Sequence, residues 1–569
     1  MDDEHIQAPP PTMGSPASSS APVGAHDGST KSAADVRPAP GDKAFEQKDS
    51  LREIVETIVF VIVLVLLLKS FVAEAFVIPT GSMATTLYGY QKNLECPECG
   101  FHFPVNCSSE VEHRPDDIHY QVVNSATCPN CRYPLEFGEE VKYATGDRVL
   151  VGKLIYDLVA SPKRFDVLVF KFPQQPLRDK VPLNYIKRLV GLPGETVGIY
   201  FGDLYKSDAF VFEDKVPDWS QLPTGDQHEI FMERYMHVDD PALVQAFRDQ
   251  VIDQRDVSHR FQILRKSPEV MLAVRRIVYD NDFPARDRPG LLRWQPKPKT
   301  SWKLDNDQLP TRFEHANTGE DTDWLHYRHI LRDSPKPQLI TDFLAYNSRD
   351  SGGLNWVGDL MLECDVSVDR PGGQLILELA KGVDRFQARF DLADGTCQLV
   401  RVNDKEDTIL KTAETSLKSS GTYRLRFANF DERLTLWVDR DLPFGEGVVY
   451  QPPKQRGPTI NDLQPASIGV REANVIVEHI KLWRDTYYTT TLSPSDFGRP
   501  VDWSNPSEWR ELGELQPKLF YVQPDHYFCL GDNSPASSDS RKWGLVPRRL
   551  ILGRALLVYW PLYRAGPIR

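Results

Sequence analysis

Ser82 lies in the run Ile78-Pro79-Thr80-Gly81-Ser82-Met83-Ala84-Thr85-Thr86-Leu87. Proline and glycine bracket a turn there, and Gly81 lets backbone and substrate approach closely. A serine in a turn is ordinary loop decoration unless a base reaches it. Lys187 lies in Asn184-Tyr185-Ile186-Lys187-Arg188-Leu189-Val190. Period-two alternation puts Tyr185, Lys187 and Leu189 on one strand face, and Ile186, Arg188 and Val190 on the other. Apolar neighbours desolvate an amine and lower its pKa toward use as a base. A snorkelling edge lysine is the competing reading of this residue by itself. A different chemistry belongs to Cys96-Pro97-Glu98-Cys99 and Cys128-Pro129-Asn130-Cys131. Two such knuckles fit four thiolates around a structural zinc. Two disulfides and dithiol redox chemistry are the alternatives. His102, Cys107, His113 and His119 fall between the knuckles and are not read as ligands.

These residues need elements to hold them. Every residue from Ile58 to Leu68 is aliphatic or aromatic. Extended over 51–72, the segment reaches the roughly twenty residues that span a bilayer. A secretory signal is the rival reading, with Ala73-Glu74-Ala75 as its cleavage site. Against it, the segment begins after a long tail, and cleavage would part Ser82 from its anchor. A buried soluble helix is the other rival, but every helix face is apolar, which suits lipid. Lys31, Arg37, Lys43, Lys48 and Arg52 precede the span, while only Lys69 lies between its end and Lys92. The N-terminus is therefore expected in the cytoplasm, with the rest of the chain outside. No second run of comparable hydrophobicity occurs downstream, so a single pass is expected.

Beyond the serine run, Gly146-Asp147-Arg148-Val149-Leu150-Val151-Gly152-Lys153-Leu154 reads as a turn and a short buried strand. Phe165–Phe170 and Asn184–Glu195 form a third segment. The fourth runs from Tyr527 to Ser534, then Ser537-Ser538-Asp539-Ser540-Arg541 and Trp543–Pro547, and closes at Ile551–Ala555. Four such segments, in this order after a membrane span, resemble the conserved boxes of type I signal peptidases. The resemblance covers Val55–Gly198 and Val522–Tyr559, apart from an insert in the first stretch and a large central block.

The resemblance implies that Ser82 is the nucleophile and Lys187 the general base, with no cofactor for catalysis. It implies that the Thr80 hydroxyl and the Ser82 backbone N–H hold the oxyanion, Thr80 replacing a serine. It also implies that Ser537 steadies the lysine amine and that Asp539 and Arg541 form a structural ion pair. Thr85 stands where the family commonly has proline, which leaves the loop after the nucleophile less rigid. Signal peptidases cut where small residues lie one and three positions before the scissile bond. Phe76, Ile78 and Met83 are candidates to line the shallow apolar pockets that such selection needs.

The expected fold is mainly β. A signal-peptidase-type core follows one transmembrane helix and carries a zinc-ribbon-like knuckle and a β-sandwich (jelly-roll) module as insertions. Residues 1–50 read as a disordered cytoplasmic tail and 51–72 as the transmembrane helix. The core occupies 73–92, 141–200 and 521–569, with the zinc-ribbon-like insert at 93–140. Residues 201–299 read as a mixed helical insert, 300–490 as the sandwich and 491–520 as a linker. Within the sandwich, Phe386, Ala388, Phe390 and Leu392 alternate with polar residues, as do Tyr423, Leu425 and Phe427. Arg433–Asp439 is similar to strands of concanavalin-like, laminin-G-like jelly rolls. Trp302, Trp324, Trp356 and Trp437 are read as core before sugar platforms.

The chain has 569 residues, enough for roughly three or four folded units. Its 41% hydrophobic content supports sizeable cores, and 44 prolines with 35 glycines supply turns and linkers. A net charge of −13 argues against a nucleic-acid partner. The expected partners are preprotein signal peptides, the lipid bilayer and the secretion translocon, at the cell (inner, cytoplasmic) membrane. The rival function is a membrane-tethered binding protein that displays the sandwich on an inactive peptidase core. The ligand of the sandwich stays open.

Overall fold

The computed structural model describes residues 46–67, 69, 72–111, 122–138, 140–173, 183–208, 232, 234–236, 240–255, 261–316, 319–347, 353–403, 407–490, 501–509 and 517–569. The region read as a tail falls outside these except for 46–50, which already belong to the helix Glu46–Leu67. From Ile54 to Leu67 its large apolar side chains are exposed. No described helix is long and apolar enough to cross a membrane. Leu68, Ser70 and Phe71, part of the expected span, lie outside the described residues. Two compact units divide at Val65 and Leu66, and the second, residues 66–569, holds the strands.

This unit is mainly β, and every strand pairing described here is antiparallel. One eight-stranded sheet holds Ala73–Val77, Arg148–Gly152, Ile551–Trp560, Val167–Lys171, Asn184–Gly191, His526–Leu530 and Val546–Pro547 in that spatial order, with Gly566–Pro567 on Ile551–Trp560. Three of the four segments singled out by sequence supply strands here, and the serine run follows directly on the edge strand Ala73–Val77, although the first and last lie more than 400 residues apart in the chain. Their apolar faces close over Ile78, Met83, Leu87, Val149, Val151, Val167, Val169 and Ile186. Removing such side chains from water is the main stabilising contribution. A four-stranded sheet of Gln262–Ile263, Asp203–Ser207, Thr196–Tyr200 and Lys518–Tyr521 packs in the same unit.

The central block forms two further sheets of eight and seven strands. Phe386, Ala388, Phe390 and Leu392 from one sheet meet Tyr423, Leu425, Phe427, Leu434 and Leu436 from the other in one buried cluster. Alternating strands from two sheets that share an inner core make a sandwich. Its strands begin earlier than residue 300: Arg276–Asp280 pairs with Asn474–Arg484, and Trp294–Pro296 pairs with Asp323–Tyr327. The segment 201–299 is thus only partly helical, with short helices at Pro241–Phe247 and Pro268–Val274. Both begin with proline after an Asp or Ser cap that accepts backbone N–H bonds. Trp302, Trp356 and Trp437 are buried, whereas Trp324 is half-buried.

Candidate active site

Ser82 is half-buried in the single 3-10 turn Gly81–Met83. The chain enters this turn through Ile78, whose N–H donates to Asp147 O at 2.9 Å. Gly146 is forced by this crossing, because a Cβ there would lie 1.8 Å from Ile78 O. On the far side, Asn533 N–H donates to Ser82 O at 3.0 Å and Asn533 Nδ2 donates to Gly81 O at 3.0 Å.

Lys187 projects from the strand Asn184–Gly191 and is 3% exposed. Its Nζ donates to Ser82 Oγ at 2.7 Å and to Ile186 O at 2.9 Å. Burial lowers its pKa to about 8, against the opposing pull of Asp539, Cys529 and Asp532. The amine has no ion pair among the described residues, so desolvation wins. A substantial neutral fraction near pH 8 allows it to accept the Ser82 proton.

The C-terminal box surrounds this pair. Asp539 and Arg541 are bidentate, with Nε–Oδ1 at 2.8 Å and Nη2–Oδ2 at 2.7 Å. Asp539 Oδ2 also accepts from Gly531 N–H at 3.0 Å. Gly531 is needed because a Cβ there would lie 2.1 Å from Ser537 Oγ and 2.5 Å from Ser82 O. Ser537 is thus packed beside the Ser82 turn, while Lys187 directs its described bonds to Ser82 Oγ and the Ile186 carbonyl. The Ser537 hydroxyl is buried and has no hydrogen-bond partner among the described residues. Thr80 precedes the turn in an extended conformation, makes no capping hydrogen bond, and is exposed. Of the expected pocket residues, Met83 and Ile78 are core, at 0% and 3% exposure, so they do not present an open wall. Only Phe76 remains half-buried at the sheet's edge strand.

Sequence reasoning missed Asn533 and the pair Arg188–Asp532. Arg188 Nε and Nη2 reach the two Asp532 oxygens at 2.7 Å each, both side chains fully buried. Desolvation alone would raise the Asp532 pKa, but the guanidinium outweighs it and holds the carboxyl below its usual range. The adjacency of Arg188 to Lys187, and of Asp532 to Asn533, was the available signal.

A separate site gathers Cys96, Cys99, Cys128 and Cys131, whose sulfurs all lie within 4.8 Å of one another. Cys96–Cys131 and Cys99–Cys128 are 3.6 and 3.7 Å apart, and all eight cysteines are free thiols. Such spacing is close to the edge of about 3.8 Å that a tetrahedron with metal–sulfur bonds of about 2.3 Å requires. The four thiols could hold a metal ion. Cys107 is buried outside the four, His102 is exposed, and His113 and His119 lie outside the described residues.

A family model described as signal peptidase, peptidase S26, matches residues 139–244 and 469–560. The match takes in Lys187 and the Ser537–Arg541 box, while Ser82 precedes it. Over these residues the chain is similar to signal peptidases of the peptidase S26 family. It is 32% identical over 137 residues to signal peptidase I of Pseudomonas aeruginosa, covering 24% of this chain and 31% of that protein. It is 51% identical over 45 residues to probable signal peptidase I-2 of Synechocystis sp., covering 8% and 21%. Mitochondrial inner membrane protease subunit 1 of Xenopus tropicalis matches at 47% over 49 residues, covering 9% and 29%. The aligned parts thus span a fifth to a third of these relatives' lengths. The carbohydrate-binding module CBM66 from Bacillus subtilis covers 34% of this chain and 96% of its own, at 12% identity and a TM-score of 0.22. A likeness that low carries nothing about fold or ligand.

Proposed function

We propose that this chain is a membrane-bound serine endopeptidase that removes N-terminal signal peptides from exported preproteins, with Ser82 as nucleophile and Lys187 as general base. The observation that carries the reading is the buried Lys187 amine 2.7 Å from Ser82 Oγ, with its pKa drawn down to about 8. Neutral Lys187 takes the hydroxyl proton as Oγ bonds to the scissile carbonyl carbon. The resulting oxyanion is stabilised by the Ser82 backbone N–H and the Thr80 hydroxyl, which is exposed at the turn. As the C–N bond breaks, Lys187 returns the proton to the leaving amine and an acyl-enzyme forms on Ser82. Water, deprotonated by the same amine, then releases the signal peptide and regenerates Ser82.

Ser537 fits a packing role beside Ser82, and Asp539–Arg541 braces the box that carries Gly531. The relatives bearing the name signal peptidase support the substrate class. A segment of 51–72 that spans the bilayer once would leave the N-terminus in the cytoplasm and the active site outside, near the translocon. In the knuckle, Cys96, Cys99, Cys128 and Cys131 would hold structural zinc as thiolates. Arg332 Nη2 lies 3.8 Å from Cys131 Sγ and is paired with Asp287, an arrangement that suits an anionic sulfur centre.

The test is processing of a preprotein with alanine at −3 and −1 by the full chain in detergent. Wild type should cleave at that site, while Ser82→Ala and Lys187→Ala should lose at least about a thousandfold in rate. Undiminished processing by either variant would refute the dyad, and an inert wild type would favour a binding role. Metal analysis of the purified chain should find about one zinc, lost when Cys96 and Cys128 are both replaced by serine.

A further inference from the structure

We infer that the inserted central block completes the active site, with Arg276 and Asn347 acting as positioning residues that clamp the nucleophile turn from the sandwich side. Both lie in the block that the signal-peptidase resemblance leaves out, and outside the residues matched by the family model. The inference rests on the Ser82–Lys187 reading.

The turn that carries Ser82 has few bonds of its own. Within it, Ala84 N–H donates to Gly81 O and Leu87 N–H to Met83 O. Thr85, where the family commonly has proline, leaves the following backbone without a ring to fix it. Arg276 takes up that role from outside. It starts the sandwich strand Arg276–Asp280 and is 3% exposed. Its Nη1 donates to Thr85 Oγ1 at 2.9 Å and its Nη2 donates to Ala84 O at 2.9 Å. The same Nη2 reaches Asp532 O at 3.0 Å, while Nη1 also reaches Val274 O at 2.8 Å. One rigid fork thus ties the residues just after Ser82 to the box that packs beneath it. Asp532 is itself locked to Arg188, the neighbour of Lys187, so both members of the dyad are referred to one buried frame.

Asn347 closes the other side. It ends the short turn Ala345–Asn347 of the central block. Its Nδ2 donates to Asn533 Oδ1 at 2.9 Å, and Asn533 Nδ2 donates back to Asn347 Oδ1 at 2.7 Å. This amide pair fixes the Asn533 side chain in the orientation that donates to Gly81 O. Tyr346 fills the space over the turn: a Cβ on Gly81 would lie 2.5 Å from its ring. The Tyr346 ring also packs against Tyr88, just past the turn, at 5.2 Å between centroids and tilted by 35°. Donors that converge on one turn from a separate part of the fold fix its position, and reaction rate is steep in misplacements of about 1 Å.

The experiment uses the full chain and the same preprotein, and reads kcat, KM, thermal midpoint and pH profile. Arg276→Ala should lower kcat about 30- to 100-fold with KM within threefold. The acid limb near pH 8 should stay in place, since Arg276 touches Ser82's turn and not the amine. Thr85→Pro in the Arg276→Ala background should restore kcat at least fivefold, because the ring replaces the lost anchor. Asn347→Ala should cost about 3- to 10-fold in kcat. If Arg276→Ala proves unfolded, Thr85→Val removes only the acceptor and should still lower kcat about threefold or more. The clamp is overturned if these folded variants keep wild-type kcat while Ser82→Ala and Lys187→Ala are inactive. It is also overturned if the losses follow only the folded fraction, with no rescue by Thr85→Pro. Retained cleavage by Ser82→Ala or Lys187→Ala would instead refute the dyad, and the clamp with it.

Discussion

Two buried lysines show how differently one protein can treat the same side chain. Lys187, at the dyad, and Lys266, between the short-helix segment and the sandwich, are each 3% exposed. Lys266 Nζ sits 2.7 Å from both Asp431 Oδ1 and Asp485 Oδ2. Burial opposes its charge, yet the two carboxylates outweigh burial and its pKa lies well above the usual range. Lys187 has a serine hydroxyl and a peptide carbonyl instead, with Asp539 and Asp532 only in the background, and its pKa falls. Burial by itself does not make a base. Burial without a carboxylate in contact does.

The widest separation should come from replacing each lysine with methionine. Lys187→Met should abolish preprotein cleavage, by at least about a thousandfold, in a protein that still folds. Lys266→Met should leave Asp431 and Asp485 buried without their cation and cost on the order of 3–5 kcal/mol in chemical denaturation. Equal loss of folding in both variants would dissolve the contrast.

The same comparison predicts opposite signs in stability. The depressed pKa of Lys187 means that its protonated form is disfavoured on folding. That penalty is fully present below about pH 8 and fades as pH rises toward the unfolded value. Lys187→Met should therefore raise the midpoint at pH 7 by an amount equivalent to about 1–3 kcal/mol, with a smaller gain at pH 10. A Lys187→Met protein less stable than wild type at pH 7 would contradict this.

Activity should rise with pH through an apparent pKa near 8, because only the neutral amine accepts the Ser82 proton. Asp539 is the largest influence opposing burial, so Asp539→Asn should move that limb to lower pH. The shift should be about half a unit or more, read from kcat against pH. A limb that moves upward, or does not move, would assign it to another group.

Much of this was legible in residue order. The boxes around Ser82, Lys187 and Ser537–Arg541 were found from short runs, and the strands that lead into them or carry them, Ala73–Val77, Asn184–Gly191 and His526–Leu530, belong to one sheet. The inward residues of 386–392 and 423–427 were readable because alternation is a local property of strands. Met83 shows the limit of that approach. It follows Ser82 directly, as a pocket residue would, yet the fold seals it in the core. Arg276 and Asn347 were beyond reach for another reason: their partners Thr85 and Asn533 lie 191 and 186 residues away in the chain.

The sequence by itself determined which side chains are available: a serine in a glycine turn, a lysine among apolar strand residues, two cysteine knuckles and an alternating central block. Those are matters of local composition and period. Only the tertiary structure decided that Lys187 has no carboxylate in contact among the described residues, that the Ser537 hydroxyl finds no hydrogen-bond partner among them, and that the central block reaches the Ser82 turn. Each of these depends on distances through space, and a pKa or a clamp is the sum of what surrounds a group, not of what precedes it in the chain.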